Sequence, residues 1–128
     1  MDDVLKELPK GYVINGEVVL NDIGFDKLPD FSKVVVRNYF GCNKNNLVSL
    51  KGCPYMVWGD FSCLGNKLTS LEGGPLEVGG VFSCMHNSKL ESFNGKPKVI
   101  GDVFLADSDV IKRINNSLNG NNIMCEER

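Results

Sequence analysis

Six copies of an apolar-x-x-apolar phrase punctuate this chain: Leu5/Leu8, Phe25/Leu28, Leu47/Leu50, Leu68/Leu71, Leu90/Phe93 and Ile111/Ile114, at spacings of 20, 22, 21, 22 and 21 residues. Between the phrases, Phe40, Phe61, Phe82 and Phe104 are followed two residues later by Cys42, Cys63, Cys84 and Ala106. A period near 21 is about the length a chain needs to run up a strand, turn and return one layer higher, so the pattern specifies a stack of coils. The 128 residues hold about five coils of 20–22 residues and two ends in a single domain. The expected fold is a β-rich repeat solenoid, with a parallel sheet on one face and irregular turns on the other. Residues 1–24 make an atypical N-terminal coil, 25–106 the regular coils, and 107–128 a C-terminal cap and tail.

The repeat also explains the cysteines. Cys42, Cys63 and Cys84 recur at one-coil intervals, and Leu20 and Ala106 hold the same slot in neighbouring coils. That slot takes a small or medium apolar group, which buried free cysteine supplies. Zinc would need Cys or His ligands at short spacings such as C-x2-C, and the sequence has none. Cys53 and Cys125 lie outside the ladder and stay unassigned.

Each position in a coil has a physical reason. In the strand Asp60 to Leu64, Phe61 and Cys63 alternate inward while Asp60, Ser62 and Leu64 point outward. Asn45, Asn66 and Asn87 are read as buried amides bonding turn backbone in adjacent coils, because unpaired backbone polar groups inside a turn are costly. Pro54, Pro75 and Pro97, each two residues after a glycine, hold the return side extended or turned and disfavour a helix there.

The two clearest coils run Val57-Trp-Gly-Asp-Phe-Ser-Cys-Leu-Gly-Asn66-Lys-Leu68-Thr-Ser-Leu71 and Val78-Gly-Gly-Val-Phe-Ser-Cys-Met-His-Asn87-Ser-Lys-Leu90-Glu-Ser-Phe93. They resemble the leucine-rich repeat, with Phe61 and Cys63 in two of its leucine positions and Asn66 in its asparagine position. The nearest likenesses are the short repeats of bacterial host-directed effectors and the small repeat proteins of T-even-type phages. The resemblance implies a protein-binding solenoid in the host cytoplasm, which as a phage accessory protein would bind and inhibit a host enzyme or defence factor.

The ends depart from the pattern. The first coil places Ile23 at the asparagine position, and its Asn15-Gly16 pair predicts a tight hairpin turn. At the other end, Asp107 to Leu118 has an acidic start, apolar spacings of three and four, and Gly120 behind it. That segment fits a short capping helix and a last coil equally. Asn121 to Arg128 is polar and expected to be partly disordered.

A net charge of −2 with interspersed signs gives no electrostatic footprint for nucleic acid. No stretch approaches the ~18 apolar residues of a membrane span, and Met1-Asp2-Asp3-Val4 opens no apolar leader, so a soluble cytoplasmic protein is expected. The single histidine, His86, anchors no catalytic or metal-binding spacing and reads as a surface turn residue. Gly73-Gly74 and Gly79-Gly80 lack the phosphate-loop motif. The reading is therefore no enzyme, no cofactor and no metal.

What remains is a rigid sheet face. From the register its outward residues are Glu17, Val19, Asn21; Tyr39, Gly41, Asn43; Asp60, Ser62, Leu64; Val81, Ser83, Met85; and Val103, Leu105, Asp107. Leu64, Val81, Met85, Val103 and Leu105 would form an apolar patch of the kind that marks a partner surface, unless the chain's own tail covers it. Trp58 breaks its slot, which otherwise holds Arg37, Gly79 and Gly101. An exposed Trp58 beside Arg37, Tyr39 and Met85 has the composition of an interface hot spot, whereas a Trp58 folded over a turn would be structural. The expected partner-binding set is Arg37, Tyr39, Trp58, Asp60, Leu64, Val81, Met85 and Leu105. The alternative function is a homo-oligomeric assembly element, with two copies paired as a homodimer through exposed sheet edges.

Overall fold

Each coil contributes one short strand to each of two parallel sheets. The structure, a computed structural model, describes residues 12–117. In chain order the elements are β1 (Tyr12–Ile14), β2 (Val18–Val19), β3 (Val34–Val36), β4 (Phe40–Gly41), β5 (Met56–Val57), β6 (Phe61–Ser62), β7 (Glu77–Val78), β8 (Val81–Ser83), β9 (Lys98–Val99), β10 (Val103–Leu105) and α1 (Ser108–Ser117). One sheet has the order β1-β3-β5-β7-β9 and the other β2-β4-β6-β8-β10, with every pairing parallel. The fold is thus a parallel β-solenoid with a short C-terminal helix.

The first of these sheets, β1-β3-β5-β7-β9, replaces the irregular turns expected on the return side. The prolines do stop helix formation there, and the chain beyond each resumes extended structure: Pro54 leads into β5, Pro75 into β7 and Pro97 into β9. Asn15-Gly16 correspondingly closes no hairpin. It is the corner between β1 and β2, which belong to different sheets.

The inward register is the one the sequence predicts. Val18, Phe40, Phe61, Phe82 and Phe104 are in register across the second sheet, and Phe40, Phe61 and Phe82 are fully buried. The rings stack at centroid distances of 5.5, 5.1 and 5.3 Å, and Phe31 and Phe93 make T-shaped contacts with Phe40 and Phe104. Val36, Val57 and Val78 close the core from the first sheet, and the paired leucines of the repeated phrase close it from the third side.

Asn45, Asn66 and Asn87 carry the hydrogen bonds assigned to them. The Asn66 Nδ2 donates to Cys42 O at 3.0 Å and Cys63 O at 3.1 Å, while its Oδ1 accepts from Leu47 N at 3.1 Å. Asn87 repeats the arrangement one coil on. Asn45 Oδ1 accepts from the backbone N–H groups of Ile23, Gly24 and Phe25, so the second coil holds the turn of the first, which has Ile23 at its own asparagine position. The residue before each asparagine, or before Ile23, is left-handed: Asp22, Lys44, Gly65 and His86 have φ of 56°, 55°, 71° and 59°. His86 is an exposed corner residue of this kind. At the other turn Gly73 has φ 87°, and a Cβ there would come within 2.6 Å of Lys51 N, so the glycine serves both conformation and close approach.

Helix α1 resolves the ambiguity at the C-terminal end. Val110 and Ile114, four apart, are buried in the core, and the Arg113 guanidinium donates to the carbonyls of Ser88 and Leu90. Leu5, Leu8, Cys125 and the segment Asn121 to Arg128 lie outside the described residues.

Cys42, Cys63 and Cys84 are buried free thiols whose Sγ groups donate to Ser62 O, Ser83 O and Leu105 O of the following coil. Cys53 is also buried. Burial pushes the Cys53 and Cys63 thiols up, so the reactive thiolate is suppressed at neutral pH. A thiol reagent is accordingly expected to label Cys42, Cys53, Cys63 and Cys84 slowly in native protein and promptly after denaturation. Peptide mass spectrometry reads the sites, and immediate native labelling of the ladder would contradict the burial.

Candidate functional site

The corner between the two sheets exposes two large apolar side chains, Trp58 and Ile100. Backbone hydrogen bonds Arg37 N to Ile14 O, Trp58 N to Val36 O, Gly79 N to Val57 O and Ile100 N to Val78 O carry a column from Asn15 through Arg37, Trp58 and Gly79 to Ile100. Ile100, and not Gly101, therefore occupies the slot of Trp58. Three residues separate Val99 from Val103, whereas two separate Val78 from Val81, so the fifth coil has one extra residue here and constant sequence spacing misses the slot by one.

Trp58 is 51% exposed and is not folded into the core. The Arg37 guanidinium lies 5.0 Å from the centroid of its ring, and Arg37 Nη1 donates to Asn15 Oδ1 at 3.3 Å. The indole is thus held on one side by a cation that is itself anchored. Gly79 leaves the next position of the column without a side chain. A Cβ on Gly79 would strike the Trp58 carbonyl, which makes glycine the residue this close rung contact requires. The Asp60 carboxylate lies across Gly80, where a Cβ would meet it, and its Oδ1 accepts from Val81 N at 2.8 Å.

The face of the second sheet is less open than expected. Its outward columns follow the predicted register, but Met85 is only 8% exposed and Ser83 beside it is closed off as well. Met85 is removed from the partner surface. With strands ~4.8 Å apart and a small central column of Gly41, Ser62 and Ser83, the longer flanking side chains can cover the face themselves. Leu64, Val81, Val103 and Leu105 are half-buried for the same reason. Tyr39 is half-buried too: its ring lies over Gly41, and its hydroxyl accepts from Asn43 Nδ2 at 3.2 Å. Of the expected set, Arg37, Trp58 and Asp60 are exposed together near the corner; Tyr39, Leu64, Val81 and Leu105 support the face. Sequence reasoning missed Ile100, which is 56% exposed. Its signal, an isoleucine in a coil with one surplus residue, becomes readable only once the strand register is known.

Elsewhere a cleft of about 370 Å³ lies beside Leu28 and Val48 in the first turns. Asp30 Oδ1 accepts from Ser32, and Ser49 Oγ accepts from Lys51 N, so these polar groups are engaged in their own turns. Among the described residues, no three His, Cys, Asp or Glu side chains converge as a metal site would require, and no helix is long and apolar enough to cross a membrane.

The fold and this corner define the chain as a parallel β-solenoid with one exposed tryptophan, Trp58, where its sheets meet. Compared with protein-family models, curated proteins and solved structures, the chain matches none of them.

Proposed function

We propose that this solenoid acts by binding another protein at the sheet-to-sheet corner and carries out no chemistry of its own. The observation that carries the reading is Trp58, half-exposed and backed by Arg37, on a scaffold whose neighbouring rungs are fixed by backbone hydrogen bonds. Tryptophan and arginine dominate interface hot spots, and a side chain already held in place loses little entropy on binding. The resemblance to phage and effector repeats extends the proposal: the partner is a host enzyme or defence factor, met in the host cytoplasm and inhibited there. Neither nucleic acid nor membrane enters this reading.

The test is affinity capture from host lysate, with mass-spectrometric identification, using wild type and Trp58→Ala. One recurrent protein is expected with wild type. Trp58→Ala should weaken its capture on the order of tenfold, equivalent to ~1.4 kcal/mol, with the urea midpoint near wild type. Sedimentation should be the same for both. Unchanged capture would refute the corner as the contact, and loss of a homodimer in place of a partner would favour assembly through the solenoid ends.

A further inference from the structure

The two ends of the solenoid differ. β1 and β2 are the outermost strands of their sheets at the same end. The inward residues of that coil, Ile14, Val18, Leu20 and Phe25, are only partly buried, although their counterparts one coil on, Val36, Phe40, Cys42 and Leu47, are fully so. Its backbone is open as well. Tyr12 N, Val18 N and Leu20 N donate toward the second coil, to Lys33 O, Tyr39 O and Gly41 O, so by strand alternation Val13 and Val19 turn their N–H and C=O groups off the edge. At the opposite end β10 is also a terminal strand. Phe104 and Ala106 are nevertheless buried there, because Val110 and Ile114 of α1 seal the core.

We propose that residues 1–11 close the open end as a second capping helix, so that the solenoid is sealed at both ends and does not pair with copies of itself there. The segment Asp3-Val-Leu-Lys-Glu-Leu8 repeats Asp109-Val-Ile-Lys-Arg-Ile114 of α1. Asp, Val and Lys are identical, and Leu5 and Leu8 stand where Ile111 and Ile114 do. In α1 the Val110 and Ile114 positions enter the core while Ile111 packs against it. The same spacing gives Val4, Leu5 and Leu8 one apolar helix face. Asp2 and Asp3 suit a helix start, and Pro9 ends it. Four residue steps from Leu8 to Tyr12 span at most about 14 Å, so Leu8 stays beside the first coil. A second copy is the rival occupant. It would have to displace a segment joined directly to the strand it pairs with, and the apolar cover that Ile14, Val18 and Phe25 lack is already carried on that segment. A cap of this kind leaves the flanks of the solenoid as its surface for other molecules, whichever flank they use.

Nuclear Overhauser contacts in the full chain test the cap directly. The Leu5 and Leu8 methyl groups should contact the Phe25 ring and the Val18 methyl groups, and a mixture of labelled and unlabelled chains should show these contacts to be intramolecular. Contacts found only between chains would make a second copy the occupant, and no contacts would leave the end open; either result overturns the proposal. Replacing both leucines, Leu5→Ser with Leu8→Ser, should speed hydrogen exchange at the Tyr12, Val18 and Leu20 amides by roughly tenfold or more. Cys84 N, bonded to Leu105 O near the other end, should keep its wild-type rate. The double variant should also self-associate in sedimentation as its concentration rises, where wild type stays a monomer. Lys6→Ala, opposite the apolar face, should behave as wild type. Unchanged exchange and sedimentation in the double variant, or a wild-type dimer, would refute the cap.

Discussion

Phe61→Ala and Phe82→Ala are each expected to destabilise the protein by ~3–5 kcal/mol, the range for truncating a buried aromatic side chain. Both rings are fully buried, and their mutual stack is the tightest in the column, with centroids 5.1 Å apart and planes 3° from parallel. Truncating either leaves a void between two coils whose spacing is fixed by the strand ladders on both sides. The surroundings cannot collapse into it without breaking backbone hydrogen bonds, so the upper part of the range applies. Urea unfolding should show midpoints lower by roughly 2 M, given ordinary denaturant slopes for a chain of this size. Midpoints close to wild type would mean that the inward and outward columns had been exchanged.

Asn66→Ala should be nearly as costly although it deletes only an amide. Leu47 N would lose its acceptor at a buried site, while Cys42 O and Cys63 O would each lose one of two amide donors and keep the Nδ2 of Asn45 and of Asn87. The unmatched Leu47 N costs ~1–3 kcal/mol, and the weakened carbonyl bonding with the void left by the amide brings the sum to ~2–4 kcal/mol. Asn66→Asp should fare no better, since a carboxylate would face two carbonyl oxygens in place of donating to them. Asn43→Ala is the internal comparison. Asn43 also accepts two hydrogen bonds, from Ser62 Oγ and Leu64 N, but it is only half-buried, so water can replace it at a cost of about 1 kcal/mol. Urea midpoints and hydrogen exchange at the Leu47 amide check the order; equal losses for Asn43→Ala and Asn66→Ala would contradict it.

Much of this architecture was legible because the repeat aligns residues that share one environment. Phe40, Phe61 and Phe82, then Cys42, Cys63 and Cys84, then Asn45, Asn66 and Asn87 each recur where a single physical demand recurs, and the demand can be inferred from what the slot accepts. The first sheet escaped for the opposite reason. Most of its strands have two residues, such as Met56–Val57 and Glu77–Val78, too few to display alternation, and Val34–Val36 is buried at all three positions. At the candidate site, the exposure of Trp58 was readable from the tolerance of its slot for arginine and glycine. The burial of Met85 was not, because it depends on how columns cover one another across a finished sheet. Ile100 was hidden by one surplus residue at a corner, where chain length can vary without disturbing the ladders on either side.

The ring column gives the molecule a definite length. A column of parallel rings has no internal reason to stop, since every exposed ring face can accept another. Here it stops because the slot changes: Val18 holds the position one rung beyond Phe40, and after Phe104 the chain turns into α1 and supplies no further strand among the described residues. The ends are thus unlike the middle, so lengthening the molecule would mean duplicating an interior coil and not adding one outside. Such a duplication would repeat the ring column while carrying the corner residues on either side of it apart by one rung. The same event that lengthened the solenoid would thus redraw what it can hold.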